Sequence, residues 1–188
     1  MFCLLPQSRE EEACNILEQG LAVDPFNPLL HAIAIYAYGR SGLYEEALRQ
    51  FELARVVGPG YAPITVTVGN AHEWAGHLDK SFEIYREASK QSNDAAYPLS
   101  CLGHALAVNG ECTEAEAILA RLLSHPDRPA ADIARMYCGF RDRAETLRWL
   151  EEAADQKSLY LLRCTGDPRF AWLSGEPRFQ EILRRMKL

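Results

Sequence analysis

The sequence predicts an all-α solenoid of antiparallel helix pairs, and three observations predict it. Gly42, Gly76 and Gly110 recur 34 residues apart. Other positions keep the same register: Ala47, Ser81 and Ala115 five residues after the glycines; Phe51, Tyr85 and Leu119 nine after; Ala54, Ala88 and Leu122 twelve after. Helical-looking stretches flank each glycine, and Pro59 closes one of them. Self-similarity at one fixed period is the mark of a repeat architecture, in which each pair buries its apolar face only against its neighbours.

Each element follows from the register. The glycine supplies a positive φ that ends the first helix of a pair at little steric cost. The small residue five positions on lies where the two helices cross, and a large side chain there would force them apart. The aromatic or leucine nine positions on and the residue three beyond it form an i, i+3 apolar pair facing the core. One period earlier, Ala13, Leu17, Gly20 and Pro25 fall where Ala47, Phe51, Ala54 and Pro59 fall, so Arg9 to Val23 reads as the second helix of an incomplete unit. The start, Met-Phe-Cys-Leu-Leu, is apolar where a solenoid end normally carries a polar cap. The expectation is therefore a chain that begins mid-array. A short apolar strand folded onto the first helix is the alternative, and burial of Phe2, Leu4 and Leu5 in a homodimer would cover the same end.

His125-Pro-Asp-Arg-Pro129 interrupts the array. Ala130 to Phe140 and Arg143 to Gln156 then read as a further helix pair, with Arg141-Asp142 in place of the glycine turn. Asp167-Pro168 and Glu176-Pro177 each look like a helix start, an acidic residue standing before the proline of the first turn. The register divides the chain into an incomplete first repeat over 1–27, three units over 28–126 (about 28–61, 62–95 and 96–126), a divergent helix pair over 127–160, and closing helices over 161–188.

These positions resemble the tetratricopeptide repeat. The first full unit has Tyr38, Gly42, Tyr44, Ala47, Phe51, Ala54 and Pro59 at the signature places. The second keeps Gly69, Gly76, Tyr85 and Ala88 but has Ser81 where alanine is usual, and the third keeps Leu102, Gly103, Gly110 and Ala115. The family tryptophan is replaced, by His31 and Thr65 in the first two units. The stretch from Asp132 to Leu188 is similar to the C-terminal end of bacterial tetratricopeptide regions attached to signalling modules. The resemblance implies a right-handed superhelix whose first helices line a concave groove. Carrying the register over, the groove residues are Ile33, Tyr36 and Arg40; Val66, Asn70, Glu73 and Trp74; Tyr97, Cys101 and His104; and, extending it, Asp132 and Arg135. Val66 and Cys101 fit packing between first helices as well as they fit a groove. Trp74 stands out, because a tryptophan near a helix end is costly to expose without a use. The lysine–asparagine clamp by which some members grip C-terminal carboxylates is incomplete: Asn70 is present, but Val66, Tyr97 and Cys101 occupy the basic places.

Composition narrows the function. The 188 residues are 48% apolar, which suits a packed globular core. A net charge of −6 and a pI of about 5.4 argue against nucleic acid as partner. The basic residues Arg178, Arg184, Arg185 and Lys187 read as a solvated helix face, as do the acidic pairs Glu45-Glu46 and Glu151-Glu152. No apolar run is long enough to span a bilayer, and Met1 to Pro6 is too short for a signal peptide. Cys3, Cys14, Cys101, Cys112, Cys138 and Cys164 form no Cys-x-x-Cys pair and fit reduced thiols in the cytoplasm.

Catalytic constellations are not evident. His72 and His77 are five residues apart with Gly76 ending the helix between them, whereas two metal ligands on one helix face need a spacing of four. Cys101 and His104 can share a face, but two ligands do not make a site. Gly58-Pro-Gly60 lacks the lysine of a phosphate loop, and there is no Gly-x-Ser-x-Gly elbow. The sequence therefore reads as a non-catalytic scaffold with no cofactor or metal. Its groove suits an extended peptide, a helix or a partner domain, including another domain of its own parent chain. The rival expectation is a ligand-sensing regulatory segment of a bacterial transcription regulator, cyclase or kinase; an enzyme with an unrecognised site is a third.

Overall fold

The computed structural model describes residues 9–186, and every regular element among them is helical. No described helix is long and apolar enough to cross a membrane. The apolar start, with Phe2, Leu4 and Leu5, lies outside the described residues. The described residues form two compact units that divide between Pro98 and Leu99, within α6 (Ala96–Val108).

The first unit contains α1 (Glu10–Val23), α2 (Pro28–Arg40), α3 (Tyr44–Val57), α4 (Ala62–Trp74) and α5 (Leu78–Gln91). α2 pairs with α3 and α4 with α5, while α2 and α4 pack directly on one another. The first helix of each pair therefore has neighbours on several sides. α2 buries His31, Ala32, Ala34, Ile35, Tyr36, Ala37 and Gly39, whereas α3 buries only Ala47 and Ala54. Ala32, Ile35, Ala47, Ala54, Ile64, Val68 and Ala71 form the core, with Phe51, Tyr61 and Ile84 against it.

The periodic glycines adopt the expected conformation. Gly42, Gly76 and Gly110 have φ of 75°, 83° and 85°. The amide that follows each glycine donates back to a helix carbonyl: Leu43 to Tyr38 at 2.9 Å, His77 to His72 at 2.8 Å and Glu111 to Leu106 at 2.9 Å. This satisfies carbonyls that the helix end would otherwise leave unpaired. Arg141 makes the same turn without glycine, at φ 59°, with the Asp142 amide on the Tyr137 carbonyl at 3.1 Å.

The departures from the repeat pattern have local explanations. Ser81 is fully buried, and its hydroxyl donates to the Leu78 carbonyl at 2.7 Å, so it fits a site shaped for alanine. At the tryptophan place of the first pair, His31 donates from Nε2 to the Pro25 carbonyl, which leaves Nδ1 to accept from the Gln50 amide. At the same place in the second pair, Thr65 donates to Gln91 at 2.7 Å. Polar bridges to the second helix thus replace the packing of an indole.

In the second unit, the rest of α6 is followed by α7 (Cys112–Ser124), α8 (Ala130–Gly139), α9 (Arg143–Asp155), α10 (Leu161–Thr165), a 3-10 helix (Pro168–Leu173) and α11 (Pro177–Arg185). α10 is not among the elements that the sequence pattern predicts. α8 is buried along nearly its whole length and packs with α7, α9, α10 and the 3-10 helix. Asp167 caps the 3-10 helix through the Arg169 amide at 3.0 Å, as an acidic residue before proline should. Glu176 does not cap α11; its carboxylate meets Arg143 at 2.8 Å instead. The arginines of α11 and the Glu151 carboxylate, expected as solvated faces, are partners. Arg178 pairs with Glu151 at 2.7 Å and Arg185 with Asp155 at 2.5 Å, tying α11 to α9. These are exposed pairs, each contributing about 0–1 kcal/mol.

Gly69 is the tightest point of the second pair. A Cβ there would lie 2.6 Å from the Tyr85 ring. Gly69→Ala is expected to lower stability by about 1–3 kcal/mol through overpacking, read as a lower urea midpoint in far-UV circular dichroism.

Candidate functional site

The first-helix side of the first unit carries most of the residues expected to bind. Trp74, the last residue of α4, is half-buried and packs edge-on to Tyr36 of α2, ring centroids 5.2 Å apart. Tyr36 is itself only 4% exposed, so it acts as the support and Trp74 as the accessible ring. Ile33 and Arg40 of α2, Glu73 of α4 and Tyr97 of α6 are also half-buried.

A polar chain runs behind this surface. The Tyr85 hydroxyl lies 2.7 Å from Glu73 Oε2 and 2.8 Å from the Asn70 amide, and that amide lies 2.9 Å from the Tyr97 hydroxyl. A phenol has one proton and cannot donate to two acceptors. All three contacts are satisfied when the Asn70 NH2 faces Tyr85, Tyr85 donates to Glu73, and Tyr97 donates to the Asn70 carbonyl. Asn70 has no exposed surface, and its amide is fully engaged within this chain. It is thus not presented as a carboxylate-gripping group. The Glu73 carboxylate is oriented by its bond from Tyr85.

The residues expected from the second unit lie inside it. His104 is 5% exposed, at the point where α6 and α8 meet; a Cβ on Gly139 would lie 2.9 Å from the His104 carbonyl. Arg135 is 1% exposed. Its Nη1 donates to Asp132 Oδ1 at 2.7 Å and to Ser100 Oγ at 2.8 Å, and Ser100 donates to the same carboxylate at 3.0 Å. Arg169 and Asp167 form a second buried pair at 3.2 Å. Both guanidiniums approach cysteine sulfurs at 3.7 Å, Arg135 that of Cys164 and Arg169 that of Cys101. Burial pushes the Cys164 thiol up to about 12 and the Cys138 thiol up to about 11, so neither is a nucleophile near neutral pH. The five described cysteines, Cys14, Cys101, Cys112, Cys138 and Cys164, are free thiols.

The spacing of His72 and His77 does not suit two metal ligands on one helix face, and the chain does turn after Trp74. The turn nonetheless brings both imidazoles to Tyr44. Tyr44 Oη is 2.9 Å from His72 Nδ1 and 3.0 Å from His77 Nδ1, with the imidazole centroids 6.0 Å apart. Among the described residues no group of three His, Cys, Asp or Glu side chains is placed to hold a metal ion. Sequence reasoning missed this cluster, and it missed Tyr85 as an organising residue. The visible signal for Tyr85 was the hydroxyl added where the preceding unit has Phe51.

No family model and no curated protein matches the chain. Among solved structures, TTC0263, a thermophilic TPR protein of Thermus thermophilus, matches with a TM-score of 0.63 at 20% identity, over 87% of this chain and 92% of that one. The fold is the tetratricopeptide-repeat fold. YrrB, a TPR protein with an unusual peptide-binding site, is similar at a TM-score of 0.47 and 20% identity, over 85% of this chain and 84% of that one, and adds nothing to the assignment.

Two experiments test the buried groups of the second unit, the first with a surface ion pair of the first unit as its control. Asp132→Ala leaves Arg135 buried without its carboxylate and is expected to cost about 3–5 kcal/mol. Glu46→Ala, which breaks only the exposed pair with Arg49, is expected to cost about 0–1 kcal/mol in the same urea titration. In native buffer a maleimide should modify exposed Cys112 readily and reach Cys138 and Cys164 only on unfolding, as peptide mapping would report.

Proposed function

We propose that the chain is a non-catalytic scaffold that binds a protein or peptide on the first-helix surface of its first unit. The observation that carries this reading is Trp74, an accessible indole propped edge-on against the buried Tyr36. Aromatic anchors held in place before binding give the largest contributions at interfaces, because little side-chain freedom is lost on association. Glu73 lies next to it, its carboxylate oriented by Tyr85, as an acceptor for an N–H of the partner. An apolar side chain over Trp74, with a donor one or two positions along the same segment, matches this arrangement. Ile33, Arg40 and Tyr97 extend the surface. Asn70 and Tyr36 hold it in shape.

Placement in the cytoplasm, the repeat boundaries near 28, 62 and 96, and a likeness to the C-terminal repeat region of bacterial signalling proteins belong to the same proposal. A second reading, a regulatory segment that senses a small ligand, is favoured by a separate feature. A groove of about 770 Å³ lies between α1, α2 and α3, lined by Cys14, Glu18, Tyr38, Leu43, Glu46 and Leu53 among others. That volume is within the range of small-molecule sites. The grooved side is that of the second helices, so the two readings use different faces.

The deciding experiment is affinity capture by the intact chain and by Trp74→Ala, followed by titration of any purified partner. Loss of the Tyr36 edge contact is expected to cost only about 0.5–1.5 kcal/mol of stability, which circular dichroism can verify. Partner affinity is expected to fall about 30-fold or more, the loss of one interface hot spot. Equal binding by the folded variant would overturn the assignment of the surface.

A further inference from the structure

We propose that His72, Tyr44 and His77 form an acid-sensitive latch that closes the second helix pair onto the first. Tyr44 is the first residue of α3, His72 lies near the end of α4, and His77 precedes α5. One phenol therefore holds both sides of the α4–α5 turn. Its single proton goes to one imidazole Nδ1, and the other Nδ1 must donate to the phenol oxygen.

The two histidines are not equivalent. His72 is 8% exposed and His77 is open to solvent. A first proton can enter at His77 Nε2 and break nothing: His77 Nδ1 donates to Tyr44, and Tyr44 donates to His72 Nδ1. A second proton has only His72 Nδ1 to occupy, the atom that accepts from Tyr44. That step expels the phenol hydrogen from its acceptor and sets two imidazolium rings 6.0 Å apart. Burial holds the His72 imidazolium below the usual histidine range, helped by the charges of Lys80 on α5 and of His77. On α3, Glu45 acts on Tyr44. The folded protein thus binds fewer protons at His72 than the unfolded chain. The latch is fully formed above the ordinary value of 6.5 and is lost as pH falls through the lower folded value.

Trp74 follows His72 by two residues, so opening the latch loosens the helix end that carries the proposed anchor. That regulatory consequence rests on the binding reading above; the latch itself is tested without any partner. Long-range nitrogen NMR of the whole chain between about pH 7.5 and about pH 5 follows each imidazole. The expected result is that His77 protonates first, that His72 Nδ1 stays an unprotonated acceptor well below that point, and that amide protection over residues 73–78 then falls about tenfold. In His72→Gln the side-chain carbonyl accepts from Tyr44 and does not titrate, so protection there should be independent of pH over this range. His31 and His104 are unchanged in the variant and cancel in the comparison. Protonation of His72 together with or before His77 would overturn the proposal. So would an equal loss of protection in His72→Gln.

Discussion

Gly39 and Ala71 leave no room between α2 and α4: a Cβ on Gly39 would lie 2.8 Å from the Ala71 Cβ and 3.4 Å from the Trp74 ring. This close approach of one first helix to the next governs the rest of the first unit. It buries both helices on several sides and pushes α3 and α5 to the outside, where each needs only a narrow apolar stripe. It also determines where Trp74 can go. With the backbones this near, the indole cannot fold inward past Gly39, so it stands edge-on to Tyr36 at the margin of the contact. The half-buried position of the indole is thus a consequence of how successive first helices stack. A wider spacing between the helices would let the ring sink.

The sequence displays this stacking where the backbone demands one residue type. A left-handed turn closes each helix pair, glycine adopts it most cheaply, and so Gly42, Gly76 and Gly110 show the period openly. Where another residue accepts the same conformation the signal fades. Lys157 has φ 52° and turns α9 toward α10 with nothing in its residue type to announce it, and a five-residue helix is too short to show a period. The candidate surface was legible to a similar depth. The register carried over from the family resemblance put Trp74 and Tyr36 on the first-helix side, and the two rings meet there at 5.2 Å. The Asn70 amide could not be placed, because whether it meets a ligand or Tyr85 depends on a side chain 15 residues away. The spacing of His72 and His77 was judged along one helix, and the argument lapses once the helix ends between them. What joins them is Tyr44, 28 and 33 residues earlier in the chain.

The two units hold their helices in register by different polar chemistry. In the first unit two of the buried polar contacts join side chains of different helices, His31 with Gln50 and Asn70 with Tyr85. Each contributes modestly. In the second unit Gly103 and Gly139 bring α6 and α8 together so closely that a Cβ on Gly103 would run into the Met136 sulfur. Two helices that meet through glycines have few interlocking side chains to stop them sliding. Arg135 supplies what the glycines omit. Its guanidinium and the Asp132 carboxylate, both on α8, close on the Ser100 hydroxyl of α6. A slip of one residue along either helix would part Ser100 from the pair, and the two buried hydrogen bonds it makes would be lost where no water can replace them. The glycines determine how near the helices come, and the ion pair determines where along their length they stop.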